Sequence, residues 1–97
     1  MGCAYKKKFV KWRERLLQAY ILINTEPGRL WKVKEETLKI PGVKMAHAVT
    51  GQYDVIAYVE VVNIDELGRV IDRIQSITGV LKTHTAISMA DRLTDEL

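Results

Sequence analysis

The chain of 97 residues repeats itself, and that repeat limits its fold more than any other feature. Ala19-Tyr20 returns as Ala57-Tyr58, Ile40-Pro41-Gly42-Val43 returns as Ile77-Thr78-Gly79-Val80, and His47 returns as His84. In each copy the apolar pattern alternates, shifts to helical spacing, and alternates again. Ninety-seven residues support one modest core and not two, so the copies read as halves of one domain.

In the first half, Ala19, Ile21 and Ile23 alternate with Tyr20, Leu22 and Asn24, the pattern of a strand running to Thr25. Glu26-Pro27-Gly28 breaks it; Pro27 fits the first turn of a helix, with Thr25 as its cap. Leu30, Val33, Thr37 and Ile40 share one face of that helix, Trp31 reads as a packing residue on it, and Pro41-Gly42 ends it. Strands follow over Lys44–Val49 and Val55–Val62. Asn63 is a preferred N-cap with Glu66 at the capping-box position, and Val62 is placed to staple onto Leu67. Ile64, Leu67, Val70, Ile71 and Ile74 form the stripe of the second helix, and Leu81–Ser88 is the last strand.

Strand, helix, strand, twice over and joined by a hairpin, is the ferredoxin-like α+β fold, βαββαβ, with a four-stranded antiparallel sheet and both helices on one face. The strands of Ala19 and Ala57 carry apolar or aromatic residues on their other face too: Tyr20, Leu22, Ile56, Tyr58 and Val62. Two such faces placed together, a dimeric α/β barrel, bury that surface, so a homo-oligomer of even order is expected.

Charge divides the chain. Residues 1–18 hold six Lys or Arg against one Glu, and the remainder holds nine against eleven. We therefore separate a basic N-terminal arm (1–18), a folded body (19–89) and a tail (90–97) without clear pattern. Phe9, Trp12 and Leu16 stand among the arm's cations at helical spacing, which suits either a solvated arm or non-specific contact with phosphates. Eighteen residues do not hold a three-helix DNA-reading unit, so no specific DNA binding is expected. No apolar run approaches the roughly 20 residues of a membrane span, and Cys3 is the single cysteine; a cytoplasmic protein is the simple expectation.

Between the halves lies Thr50-Gly51-Gln52-Tyr53-Asp54. It reads as a hairpin turn, with Gly51 free to take a positive φ and Asp54 bonding nearby amides. An aromatic, a carboxylate and a run of backbone N–H groups also suit a pocket for a small zwitterion. Other chemistries are poorly supplied. His47 and His84 fall on opposite edges of the expected sheet, no metal-ligand cluster occurs, and no cofactor is implied. Asp54, Tyr58 and His84 are the candidates for a cofactor-free enzyme, but they form no nucleophile, base and orienter set. A base-stacking RNA sheet needs basic residues near its aromatics, and Val55–Val62 has no Lys or Arg.

From about Ala19 to Met89 the sequence resembles the effector-binding and oligomerisation (RAM) domain of Lrp/AsnC transcription regulators. The resemblance rests on Glu26-Pro27-Gly28, Ile40-Pro41-Gly42-Val43, the loop Thr50–Asp54, and Thr83 with Thr85. It implies dimers that assemble further and amino acids bound between subunits, with Thr50, Gly51, Gln52, Tyr53 and Asp54 holding ammonium and carboxylate. Thr83 and Thr85 would line the same cleft. It also implies full-length regulators of the family as partners. Family members usually begin with a helix-turn-helix domain and none fits here, so a stand-alone RAM domain is the expectation.

Overall fold

The computed structural model describes residues 16–89, so the readings of the basic arm before Leu16 and of the tail lie outside the described residues. In chain order the elements are β1 (Leu17–Thr25), α1 (Leu30–Leu38), β2 (Val43–Ala48), β3 (Val55–Val61), α2 (Ile64–Gln75) and β4 (Val80–Ile87). They build one antiparallel sheet in the order β2-β3-β1-β4. The repeat is therefore a spatial one: β1 and β3 are the central pair, and each half contributes one edge.

Alternation decides which side of each strand is buried. Ala19, Ile21 and Ile23 of β1 and Val55, Ala57, Val59 and Val61 of β3 face the helices and are buried. Val33 and Ile40 close over them from the first half, and Leu67, Val70 and Ile74 from the second. Fully burying one such aliphatic side chain stabilises by about 1.5–3 kcal/mol, so this layer holds the domain together. Thr37 sits among them fully buried and satisfies its hydroxyl by donating to the Val33 carbonyl at 2.7 Å. That bond explains how a polar residue shares the apolar face.

The two helices begin differently. Asn63 caps α2, its Oδ1 accepting from the Glu66 N–H at 2.9 Å, and Asp65 and Glu66 lie in the first turn. Thr25 does not cap α1, contrary to the sequence reading. It is the last residue of β1, and α1 starts after Arg29 with no side-chain cap. Pro27 is likewise outside the helix. The Arg29 N–H donates to the Glu26 carbonyl at 3.0 Å and Gly28 has φ +84°, so Glu26 to Arg29 is a β-turn of the kind that wants Pro second and Gly third.

The boundaries move by one or two residues elsewhere. β1 begins at Leu17, paired with Val61 and packed on the core, so the body takes in two residues read as arm. β3 stops at Val61, and Val62 stays 59% exposed beyond it. Trp31 does not pack inside the subunit: it is 65% exposed, with the Lys34 ammonium 5.7 Å from its ring centroid.

The far face of the sheet is laid out in rows by the strand register. One row runs His47, Ile56, Leu22, His84; the next runs Met45, Tyr58, Tyr20, Ala86. Tyr20 and Tyr58 are direct cross-strand partners with ring centroids 5.2 Å apart. Tyr20 and Met45 remain nearly half exposed, so this face offers an apolar strip across the sheet.

Candidate functional site

The connection from β2 to β3 folds over the end of β1 and is fixed there by Asp54. The Asp54 Oδ2 accepts from the Thr25 N–H at 2.7 Å, and its own N–H donates to the Ile23 carbonyl at 2.9 Å. Its carbonyl accepts from the Val49 N–H at 2.9 Å. One residue thus ties the loop to β1 and to the end of β2. Asn24 adds a second tie, its Nδ2 donating to the Gln52 carbonyl at 2.7 Å. The ring of Tyr53 reaches beyond β1 and meets His84 of β4 edge-on, with centroids 5.6 Å apart.

Apart from the Asp54 N–H, these ties act on side chains and carbonyls and leave the loop's backbone donors unused. Among the described residues, the backbone N–H groups of Thr50, Gly51, Gln52 and Tyr53 donate no hydrogen bond. Gly51 has φ +114°, and a Cβ built there would meet nothing within 4 Å. Glycine is therefore required by the backbone conformation and not by crowding, and open space lies beside it. A held loop with four successive free donors and a glycine that admits close approach has the form of an anion cradle.

Thr83 and Thr85 share one face of β4, as expected, but that face is turned to the helices. Thr83 lies across from Ile23 and accepts from Gln75 of α2 at 3.0 Å, and Thr85 lies across from Ile21. Within one protomer they look away from the face on which Tyr53 meets His84. The residues considered for catalysis are likewise dispersed. Asp54 is bonded to Thr25, Tyr58 donates to Glu60 Oε2 at 2.8 Å, and His84 packs on Tyr53, with no hydrogen bond joining any two of the three. His47 and His84 stand on opposite edge strands. No group of three metal-ligating side chains occurs among the described residues, and no helix among them is long and apolar enough to cross a membrane.

Sequence reasoning missed Asn24 and misassigned Thr25. Both act across 28 or more residues of chain, and only the polar Asn24 closing an apolar strand hinted at it.

This fold recurs in known proteins. Residues 18–96 match the model of the Lrp/AsnC ligand binding domain, and the chain belongs to that family. It is 33% identical over 75 residues to the HTH-type transcriptional regulator LysM of Saccharolobus solfataricus, covering 76% of this chain and 53% of LysM. The chain thus spans about half the length of that regulator. The crystal structure of TTHA0845 from Thermus thermophilus superposes with a TM-score of 0.74 at 30% identity, covering 77% of this chain and 95% of that one. A feast or famine regulatory protein of M. tuberculosis, in complex with L-methionine, shares the fold with a TM-score of 0.70 at 20% identity, over 84% of this chain and 56% of that one.

Proposed function

We propose that the protein is an effector-binding and oligomerisation module that takes an amino acid or similar small zwitterion at the Thr50–Asp54 loop. The observation that carries this reading is the row of four unused N–H groups in a loop already held in place. A ligand carboxylate accepts from those donors, and little loop ordering remains to be done on binding. Asp54 supplies the ammonium partner with the carboxylate oxygen that Thr25 does not occupy. A protein of the same fold in complex with L-methionine supports the choice of ligand class.

The rest of the pocket comes from a second subunit. Thr83 and Thr85 face the helices of their own protomer, so a neighbour presents them to the ligand only from the β4 edge, in an assembly beyond the sheet-to-sheet pair. Protomers pair through the strip of Tyr20, Tyr58, Leu22, Ile56 and Met45, because an apolar strip of this kind marks an interaction face. In the cell the module modulates transcription or amino-acid metabolism by co-assembly, with full-length Lrp/AsnC regulators as partners. A thermal-shift screen of the amino acids on the intact chain tests the reading. At least one should raise the melting temperature in a concentration-dependent manner, and a flat response to all of them at millimolar concentration rejects it.

A further inference from the structure

A second concavity lies on the other side of the sheet, away from the loop. It is a cleft of about 610 Å³ between α1 and the end of α2, within the range of about 300–1,000 Å³ usual for small-molecule sites. Arg29, Lys32, Glu36 and Lys39 line it from one stripe of α1, at steps of three and four residues, and Arg73 faces them from α2. Between residues 16 and 89 the chain carries eight Lys or Arg and eight Asp or Glu; four of the cations and one of the carboxylates line this cleft. A neutral body has gathered half of its cations in one place.

The cations are underpaired. Glu36 serves both Lys32, at 4.0 Å, and Lys39, at 3.2 Å. Arg29 and Arg73 have no carboxylate within ion-pair distance among the described residues. Helix stability accounts for only half of the set. Arg73 and Lys39 stand at helix C-terminal ends, where the macrodipole favours a cation, but Arg29 and Lys32 stand at the start of α1, where it opposes one. Arg29 is also seated. A Cβ on Gly79 would lie 2.8 Å from the Arg29 Cβ and 2.9 Å from its Cγ, so the arginine stem rests on bare backbone.

We propose that this cleft binds a small polyphosphate anion of the nucleoside di- or triphosphate class, with Arg29, Lys32, Lys39 and Arg73 on its phosphates. From Arg29 to Lys39 the cations extend over roughly 15 Å of helix, more than one phosphate or carboxylate spans. A chain of phosphates matches that spread, and the half-buried Ile77 in the same lining offers apolar surface to a nucleoside. Duplex DNA presents its phosphates on a convex surface, for which a cleft between helices is a poor match.

The test is calorimetric titration of the intact protein with ATP, tripolyphosphate, adenosine and a short DNA duplex, at low and at physiological salt. ATP and tripolyphosphate should bind, adenosine should not, and affinity should fall as salt rises. The double variant Arg29→Gln/Arg73→Gln should weaken ATP binding by about tenfold or more, since charge-assisted bonds are lost. Lys34→Gln/Lys44→Gln removes the same charge outside the cleft and should leave ATP affinity within about twofold. Three results would overturn the proposal: no heat with ATP or tripolyphosphate at millimolar concentration, equal affinity in the Arg29→Gln/Arg73→Gln variant, or duplex binding that needs these arginines while ATP does not bind.

Discussion

Replacing Asp54 with alanine tests whether the loop is held or merely passes by. The carboxylate accepts from the Thr25 N–H at 2.7 Å in a half-buried setting, a charge-assisted bond at the end of a central strand. Hydrogen bonds to charged groups contribute about 1.5–3 kcal/mol, and losing the acceptor strands the Thr25 donor as well. Asp54→Ala should therefore destabilise by about 1.5–3 kcal/mol, a drop of roughly 6–24 °C for a domain of this size. The sequence alone suggests a mild effect, because a turn residue is not part of the core. Asp54→Asn keeps an oxygen for Thr25 and should retain most of the stability, with a loss of about 1 kcal/mol. Urea unfolding followed by circular dichroism, at one fixed protein concentration, measures all three proteins. An Asp54→Ala midpoint within experimental error of wild type would refute the anchoring role.

Two further predictions concern assembly and the helix start. Tyr58→Glu places a charge on the apolar strip beside Tyr20 and should shift the protein toward monomer in light scattering; an unchanged molar mass argues against pairing through that face. Asn63→Ala removes the acceptor of the Glu66 N–H and should cost about 1 kcal/mol in the same urea assay, whereas an equivalent change at Thr25 should not behave as a cap loss.

The fold was legible because its determinants are local and repeated. Alternation at Ala19, Ile21 and Ile23, the stripe of Leu67, Val70 and Ile74, and the two Gly-containing turns after the helices each specify one step of the chain. Asn63 was readable for the same reason, since a cap acts within three residues. The start of α1 was not. Thr25 and Pro27 offer a plausible cap and first turn, but the pairing of β1 with β4 runs through Thr25, and the chain turns at Pro27-Gly28 before the helix begins. The residues of the loop were found by composition, and its geometry could not be. What fixes it is contact with Ile23, Asn24, Thr25 and His84, set by the order of strands in the sheet. Trp31 was misjudged because helical spacing assigns a face but does not tell how far the sheet beneath extends.

The central claim is that the unused donors of Thr50 to Tyr53, beside the carboxylate of Asp54, receive an amino acid. Titration calorimetry with each of the twenty amino acids, on the wild type and on Asp54→Asn, measures it most directly. Because the asparagine keeps the tie to Thr25 while giving up the charge, the variant separates ligand pairing from loop anchoring. The account predicts binding of at least one amino acid by the wild type, and a loss of roughly 30-fold or more in Asp54→Asn, from the about 2–5 kcal/mol that a broken buried charge pair costs. No heat with any amino acid at millimolar concentration, or equal affinity in the folded variant, would contradict it.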